Sequence, residues 1–242
     1  MDKKQNIHQL PLEFAHQPYW GRQDFIKSSC NSEAFDMIDL WPQWPAFGLC
    51  IYGPENCGKT HLTHIFEETV ALKTNKPYHL PRLEAESINL DIIHQLFEQN
   101  KCLIIENLGP KIDEEAMFHL FNLYRDQGGY ILFTSHIAPA RIPFKLPDLS
   151  SRLKMIPSIG ISEPDDDLLS ALIIKLFMDR QITVSRDIIN YILVNMHRSF
   201  SYAHKLVEEI DNVSLSYKRA VSIPIVKEAI NNLSQHRQGE LF

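Results

Sequence analysis

The sequence predicts an α/β protein in which a parallel sheet is followed by a small all-helical domain. Short apolar runs alternate with helical patterns up to about residue 161, as in GLCIYG (48–53), KCLIIE (101–106) and GYILFTS (129–135). Runs of this kind are typical of strands buried on both faces of a parallel sheet, and their alternation with helices indicates βαβ units. Beyond residue 161 only helical patterns appear.

The elements of the α/β part follow in order from their local patterns. A helix over 32–40 is expected to end at the two Trp-Pro steps of LWPQWPAF (40–47), because a residue before proline avoids helical backbone angles. The strand at 48–53 leads into a helix over 59–72. Further strands are predicted at KPYHL (76–80), 101–106, 129–135 and KMIPSIGI (154–161), with helices at 88–98 and 113–126 between them.

The helical part is predicted to contain four helices. SEPD (162–165) fits a capping box, with Ser162 as the N-cap and Asp165 as the carboxylate three residues on. Ser185 is expected to cap a second helix, and a third covers 200–217. The fourth begins with Ser222 as cap and Pro224 in its first turn. These boundaries divide the chain into a flexible arm (1–18), an α/β domain (19–161), a helical lid domain (162–236) and a tail (237–242).

Composition and charge exclude several classes of protein. A formal net charge of -6 argues against a protein that wraps a nucleic-acid backbone, so no strong direct DNA binding is expected. The four cysteines form no C-x-x-C pair, so neither a zinc site nor a disulfide framework is indicated. No run is long enough to span a bilayer and no signal peptide is present, which predicts a cytoplasmic protein without a membrane partner. Four scattered basic residues are expected on the solvated surface: Lys73, Lys76, Arg82 and Lys101.

The segment GPENCGKTH (53–61) fits the phosphate-loop pattern G-x-x-x-x-G-K-[ST] and lies between a buried strand and a helix. Gly53 and Gly58 let the backbone curl so that its N–H groups can hold phosphates at the helix N-terminus. Lys59 supplies a charge for the β and γ phosphates, and Thr60 offers a hydroxyl to Mg²⁺. We therefore expect ADP or ATP with Mg²⁺ to be held by Gly53, Pro54, Asn56, Cys57, Gly58, Lys59, Thr60 and His61.

The strand CLIIEN (102–107) ends in Glu106 and Asn107. In many phosphate-loop proteins an Asp at such a strand end supports Mg²⁺, so Glu106 is predicted to support the metal together with Thr60. Asn107 can orient a water but cannot take its proton, which predicts slow hydrolysis or binding without efficient turnover. The alternative for Glu106 is a plain solvated carboxylate at a strand end.

Four segments resemble, in order, the DnaA replication-initiator branch of the AAA+ ATPases: DFIKSSCNSEAFDMI (24–38), GPENCGKTHLTHIF (53–66), LFTSH (132–136) and DLSSRL (148–153). This resemblance implies an arginine finger at Arg152, a sensor at Thr134 or Ser135, and a base pocket formed by Phe25, Ile26 and Asn31. The sequence departs from the pattern in His136, in Glu106-Asn107 and in the third lid helix, where Tyr202 stands near the expected sensor arginine and Arg198 is close by. The aromatic residues Tyr19, Trp20 and Phe25 fit either a base pocket or ordinary core.

The N-terminal peptide QLPLEF (9–14) narrows the resemblance to the Hda family of DnaA regulators. In that family such a peptide docks on the DNA polymerase sliding clamp (beta subunit), and the initiator's DNA-reading domain is expected to be absent here. The resemblance implies that Gln9 bonds in a polar slot while Leu10, Leu12 and Phe14 fill an apolar groove. It also implies that Arg152 reaches the nucleotide of a neighbouring DnaA and stimulates ATP hydrolysis there. Self-association is left open.

Two other functions use the same phosphate loop. A DnaA-related helicase-loader ATPase motor would need robust hydrolysis and single-strand contacts, against which Asn107 and the acidic balance count. A small-molecule kinase is disfavoured by the four-helix lid and by the SRL segment (151–153).

Overall fold

A computed structural model describes residues 20–75 and 79–239. The predicted clamp peptide, with Gln9, Leu10, Leu12 and Phe14, and Tyr19 therefore lie outside the described residues. The first part of the described chain contains a five-stranded sheet made of β1 (Gly48–Tyr52), β2 (Arg82–Glu84), β3 (Cys102–Leu108), β4 (Tyr130–Ser135) and β5 (Ser158–Gly160). The strand order is β2-β3-β4-β1-β5 and each pairing is parallel.

Helices cover both faces of the sheet, as the apolar strand sequences predict. They are α1 (Ser32–Leu40), α2 (Lys59–Thr74), α3 (Ile93–Gln99), α4 (Glu114–Asp126) and α5 (Pro147–Lys154). Within β1, Leu49 and Ile51 pack with α1 and α2, whereas Cys50 packs with α4 and α5 on the other face. The second strand lies at 82–84 and not at the predicted 76–80; of that segment, 76–78 lies outside the described residues and 79–80 is irregular.

The C-terminal part of the described chain is all helical, with α6 (Asp166–Asp179), α7 (Arg186–Asn195), α8 (Phe200–Tyr217) and α9 (Ile223–Gly239). These helices enclose a core of their own, which includes Ile173, Phe177, Ile192, Val207 and Ile210. The predicted α/β sheet with a helical lid region at the C-terminus is confirmed. No helix in 20–75 or 79–239 is both long and apolar enough to cross a membrane.

The predicted cap at Ser162 is wrong. The helix begins at Asp166, and the Asp165 carboxylate accepts a hydrogen bond of 2.8 Å from the Leu168 N–H. A start at Ser162 would require helical backbone angles at Glu163, which the following Pro164 disfavours. The Ser162 N–H instead donates to the carbonyl of Cys30.

Candidate functional site

The phosphate-loop segment connects the carboxyl end of β1 to the N-terminus of α2, and its two glycines are required by the structure. Gly58 has φ of +96°, a left-handed backbone conformation that residues other than glycine rarely adopt. A Cβ there would lie 3.3 Å from the Phe25 ring. A Cβ on Gly53 would lie 2.8 Å from the carbonyl oxygen of Ile161. The tight curl of this loop therefore excludes larger residues at both positions.

Lys59 is buried at the base of the loop, with 8% exposure. Its Nζ donates to the carbonyl oxygens of Gly53 at 2.9 Å and Pro54 at 2.7 Å. Cys57 Sγ lies 3.7 Å from Nζ as a third acceptor, so the three donors of the ammonium group hold the positive charge at the loop. Burial raises the pKa of the neighbouring Cys57 thiol, although Lys59 partly opposes this shift.

A cavity of about 410 Å³ lies between the loop and the helical lid region. The α/β part contributes Trp20, Glu55, Asn56, Gly58, Lys59, Thr60, His61, Asn107 and His136, and the lid region contributes Leu172, Lys175, Leu176, Asp179 and His204. A smaller cavity of about 80 Å³ shares Asn56, Gly58, His61, Leu172 and Lys175 with it and is also lined by Asp24, Phe25, Ile26, Cys57 and Asn31. The two cavities together form one continuous site around the loop.

The predicted base-pocket residues line the smaller cavity. Phe25 stacks on Phe35 with ring centroids 5.5 Å apart, and it also packs against the α1–α2 core. Asn31 is buried and donates to the carbonyl oxygen of Ile26 at 3.0 Å. Trp20 lines the larger cavity and stacks on His64 at 5.1 Å. Phe25 is thus both a core residue and a cavity residue, while Trp20 is 37% exposed and belongs to the cavity rim.

Two lysines bring positive charge to the cavity. Lys59 comes from the loop and Lys175 from α6, where its Nζ donates to the carbonyl oxygen of Asp24 at 2.7 Å. Sequence reasoning missed Lys175 because it searched for a sensor arginine on the third lid helix. The sequence signal that could have indicated Lys175 is its positive charge in the first lid helix, one turn after Leu172.

Two histidines of the cavity, His61 and His204, have a lowered pKa. His61 Nε2 lies 2.8 Å from the carbonyl oxygen of Gly21, and burial lowers its pKa. Burial also lowers the pKa of His204, with a further contribution from the positive charge of Arg180. The lowered pKa favours the neutral imidazole at these two positions.

The end of β3 differs from the expected metal site. Glu106 Oε1 lies 3.0 Å from Arg82 Nη1 and accepts a hydrogen bond of 3.3 Å from the Thr63 hydroxyl. Among the described residues, the lining of the larger cavity includes Thr60 but not Glu106. The two predicted metal residues are nevertheless linked through Thr63, whose hydroxyl lies 2.8 Å from the Thr60 carbonyl oxygen and 3.3 Å from Glu106 Oε1. Arg82, expected on the solvated surface, is instead half-buried in an ion pair.

Asn107 lines the larger cavity in a left-handed conformation with φ of +58°. Its side-chain Nδ2 donates to Glu84 Oε2 at 2.9 Å, and its backbone N–H donates to the Thr134 hydroxyl at 3.2 Å. Thr134 is buried at the end of β4, and the next residue, Ser135, donates to the carbonyl oxygen of Leu108 at 2.8 Å. The two candidate sensor hydroxyls thus support the backbone that presents Asn107.

Arg152, the predicted arginine finger, lies on α5 and outside the described lining of both cavities. It is half-buried, and its guanidinium carbon lies 4.9 Å from the centroid of the Phe118 ring. Near the predicted sensor position, Arg198 forms a surface ion pair of 3.0 Å with Asp166, and the Tyr202 N–H donates to the Ser199 cap of α8. Neither residue lines the two cavities among the described residues.

Comparison with known sequences places the chain near replication initiators. The family model "Hda, lid domain" matches residues 165–230. The chromosomal replication initiator protein DnaA of Spiroplasma citri is 31% identical over 166 residues, which cover 59% of this chain and 36% of that protein. The chain therefore matches about a third of that relative's length. An uncharacterized protein of Haemophilus influenzae is 24% identical over 186 residues, covering 75% of this chain and 80% of its own length.

Solved structures share the fold. Domain III of the Thermotoga maritima replication initiation protein DnaA superposes with a TM-score of 0.74 at 18% identity, covering 89% of this chain and 97% of that one. AMPPCP-bound DnaA from Aquifex aeolicus gives a TM-score of 0.65 at 16% identity, covering 94% of this chain and 72% of that one. The lid-model match covers residues 165–230, and together with the related initiator sequence and the common fold it makes the chain similar to DnaA-related AAA+ proteins of the Hda type.

Proposed function

We propose that this protein is a cytoplasmic regulator of replication initiation, which binds ADP or ATP beside the phosphate loop and stimulates ATP hydrolysis by DnaA. The observation that carries the proposal is a phosphate loop of tight geometry that faces a cavity closed by an Hda-like lid region. The Aquifex relative binds the nucleotide AMPPCP, which supports nucleotide as the ligand. Replication is the common context of DnaA and of the Hda lid family.

The nucleotide fits the residues that line the cavity. The curl at Gly58 leaves room for phosphate, Lys59 supplies charge, and Phe25 and Ile26 border the smaller cavity, where a base would lie. Thr60 lines the cavity and would offer its hydroxyl to Mg²⁺. When bound, such a metal neutralises charge between the phosphates. Glu106 does not fit this role, because it is paired with Arg82.

Arg152 is the residue of this protein that we propose to act on DnaA. It lies away from the protein's own cavities, so its guanidinium is available to a neighbouring molecule, and Phe118 holds it through a cation–π contact. A guanidinium placed at the nucleotide of a partner stabilises the charge that develops on the transferred phosphoryl group. The catalytic site would thus be completed by two proteins.

The clamp is the second partner, and this part of the proposal depends on QLPLEF (9–14) alone. Proline fixes part of the peptide, so less entropy is lost when it docks in extended form. Gln9 would bond in a polar slot, with Leu10, Leu12 and Phe14 in an apolar one.

The test compares two variants in a clamp pull-down and a DnaA hydrolysis assay. Arg152→Ala should retain clamp and ADP binding but lose stimulation of DnaA by roughly three orders of magnitude, the typical worth of an arginine finger. Replacing Gln9, Leu12 and Phe14 by Ala should abolish clamp binding and leave ADP binding unchanged. Arg125→Ala is the matched control, since Arg125 is an exposed arginine paired only with its neighbour Asp126. Full stimulation by Arg152→Ala would show the finger assignment to be wrong.

Intrinsic turnover separates this proposal from an ATPase motor. Because Asn107 carries no base and Glu106 is held by Arg82, the isolated protein should hydrolyse ATP well below ~1 s⁻¹, the low end of ordinary enzymes. A phosphate-release assay measures this rate. Turnover at or above that value would favour the helicase-loader motor.

A further inference from the structure

The carboxylate of Glu106, at the end of β3, forms an ion pair with Arg82 from the neighbouring strand β2. We infer that Arg82 is a positioning residue that withdraws Glu106 from the nucleotide's metal, so that this protein binds ADP without needing Mg²⁺. The inference rests on the proposed nucleotide binding and deepens it, because it concerns which form of the nucleotide the site accepts.

Strand pairing sets the position of Arg82. The register of β2 against β3 places Arg82 opposite Ile104 and Glu84 opposite Glu106. Residues two apart on paired strands share a face, so the long Arg82 side chain can reach diagonally to Glu106. The resulting separation of 3.0 Å between Nη1 and Oε1 is that of a charge-assisted hydrogen bond.

A second contact closes the arrangement on the side of α2. Arg82 Nη1 donates to the Thr63 hydroxyl at 2.6 Å, and Thr63 is in turn 3.3 Å from Glu106 Oε1. Thr63 is fully buried, and the side chains of Arg82 and Glu106 are only 24% and 13% exposed. Solvent therefore screens the pair weakly, and rotation of Glu106 toward the cavity would take the closest carboxylate away from the Arg82 charge.

A second carboxylate lies on the other side of the guanidinium. Glu67 Oε2 is 4.0 Å from Arg82 Nη2, and that nitrogen is buried without a hydrogen-bond partner among the described residues. Arg82 thus lies between two carboxylates, of which Glu106 is the closer. This placement differs from that of a surface arginine, whose ion pairs are readily exchanged with water.

The polar groups that remain at the cavity determine whether the site needs Mg²⁺. Of the polar groups at the predicted metal position, Thr60 lines the cavity, and the Asn107 amide is engaged by Glu84. Mg²⁺ favours sites with carboxylate oxygens, and Oε1 of Glu106 is held by Arg82 and Thr63. The phosphate charge would be met by Lys59, Lys175 and the N–H groups of the loop, all of which act without a metal.

The experiment measures ADP affinity by titration calorimetry in Mg²⁺ and in EDTA. Wild-type protein should give dissociation constants within about threefold of each other. Arg82→Gln frees Glu106, so Mg²⁺ should strengthen ADP binding by about tenfold or more. The double variant Arg82→Gln/Glu106→Gln should lose this dependence again, which a merely structural role for Arg82 would not produce. Arg125→Gln is the control and should behave as wild type.

Three outcomes would overturn the inference while leaving nucleotide binding intact. They are wild-type affinity that already rises tenfold with Mg²⁺, an Arg82→Gln variant without metal dependence, and a double variant that keeps it. Wild-type protein that binds ADP under neither condition would instead contradict the proposed function itself. If Arg82→Gln does not fold, as judged by circular dichroism, the folded Glu106→Gln variant decides: ADP affinity in Mg²⁺ should equal that of wild type, and weakening by about tenfold would refute the inference.

Discussion

The ends of β1 and β3, on either side of β4, meet the cavity in opposite ways. After β1, the chain keeps the geometry that a phosphate requires, with a left-handed Gly58 and a buried Lys59. At the end of β3, the Glu106 carboxylate turns to Arg82, and Asn107 lines the cavity. Under the proposed function, nucleotide binding and nucleotide hydrolysis would be separable, because each would depend on a different strand end of one sheet.

The largest expected effect concerns the end of β1. Lys59→Ala removes the buried positive charge facing the phosphates and should weaken ADP binding at least tenfold, about 1.4 kcal/mol. Calorimetry measures the change, with Lys73→Ala as a control because Lys73 bonds to the carbonyl of Trp41. Unchanged ADP affinity in Lys59→Ala would mean that the end of β1 is no more important for nucleotide binding than the end of β3.

A smaller effect of a different kind is expected at the end of β3. Glu106→Gln keeps the shape of the side chain but removes its charge, so ADP affinity should stay within about threefold of wild type. The stability of the fold should fall by about 1 kcal/mol, since a charge-assisted hydrogen bond to Arg82 becomes a neutral one. Urea unfolding measures this loss. If Glu106→Gln instead lost ADP affinity and kept its stability, the end of β3 would be assigned to nucleotide binding.

The smallest effect is a dependence of stability on pH near the start of α2. Burial lowers the pKa of both His61 and His64 from the ordinary value of 6.5. The unfolded chain therefore takes up protons at a higher pH than the folded chain, and stability is lost as the pH falls through and below 6.5. The urea midpoint should drop between about pH 7.5 and pH 5.5, and the drop should be smaller in His61→Gln. A midpoint that rises toward acid would contradict this sign.

Local patterns were sufficient to predict much of this molecule. The helix expected over 200–217 is α8, and the strand at 48–53 and the loop after it have the predicted order. These elements are encoded by neighbouring residues: an apolar run, a glycine pair or a helical period. The same holds for the error at Ser162, where the effect of Pro164 on its neighbour outweighed the capping pattern.

The pairing of Arg82 with Glu106 could not be predicted in this way. The two residues are separated by a helix, and their contact depends on the register of β2 against β3. Arg82 was one of four scattered basic residues that were expected on the solvated surface. The place of Lys175 beside the loop likewise depends on the position of α6 in the fold, which local patterns do not encode.

The position of Trp20 limits the distance between the proposed nucleotide site and the proposed clamp peptide. Its ring stacks on His64 and borders the larger cavity, and five residues (15–19), or six Cα-to-Cα steps, separate it from Phe14. An extended chain covers at most ~3.3–3.6 Å per residue, so this linker reaches no further than about 20 Å. A clamp that holds Phe14 would keep Trp20 and the adjoining nucleotide site within that reach. With so short a connection, a clamp bound at the peptide would lie beside the nucleotide site of the same molecule at an effective concentration in the millimolar range.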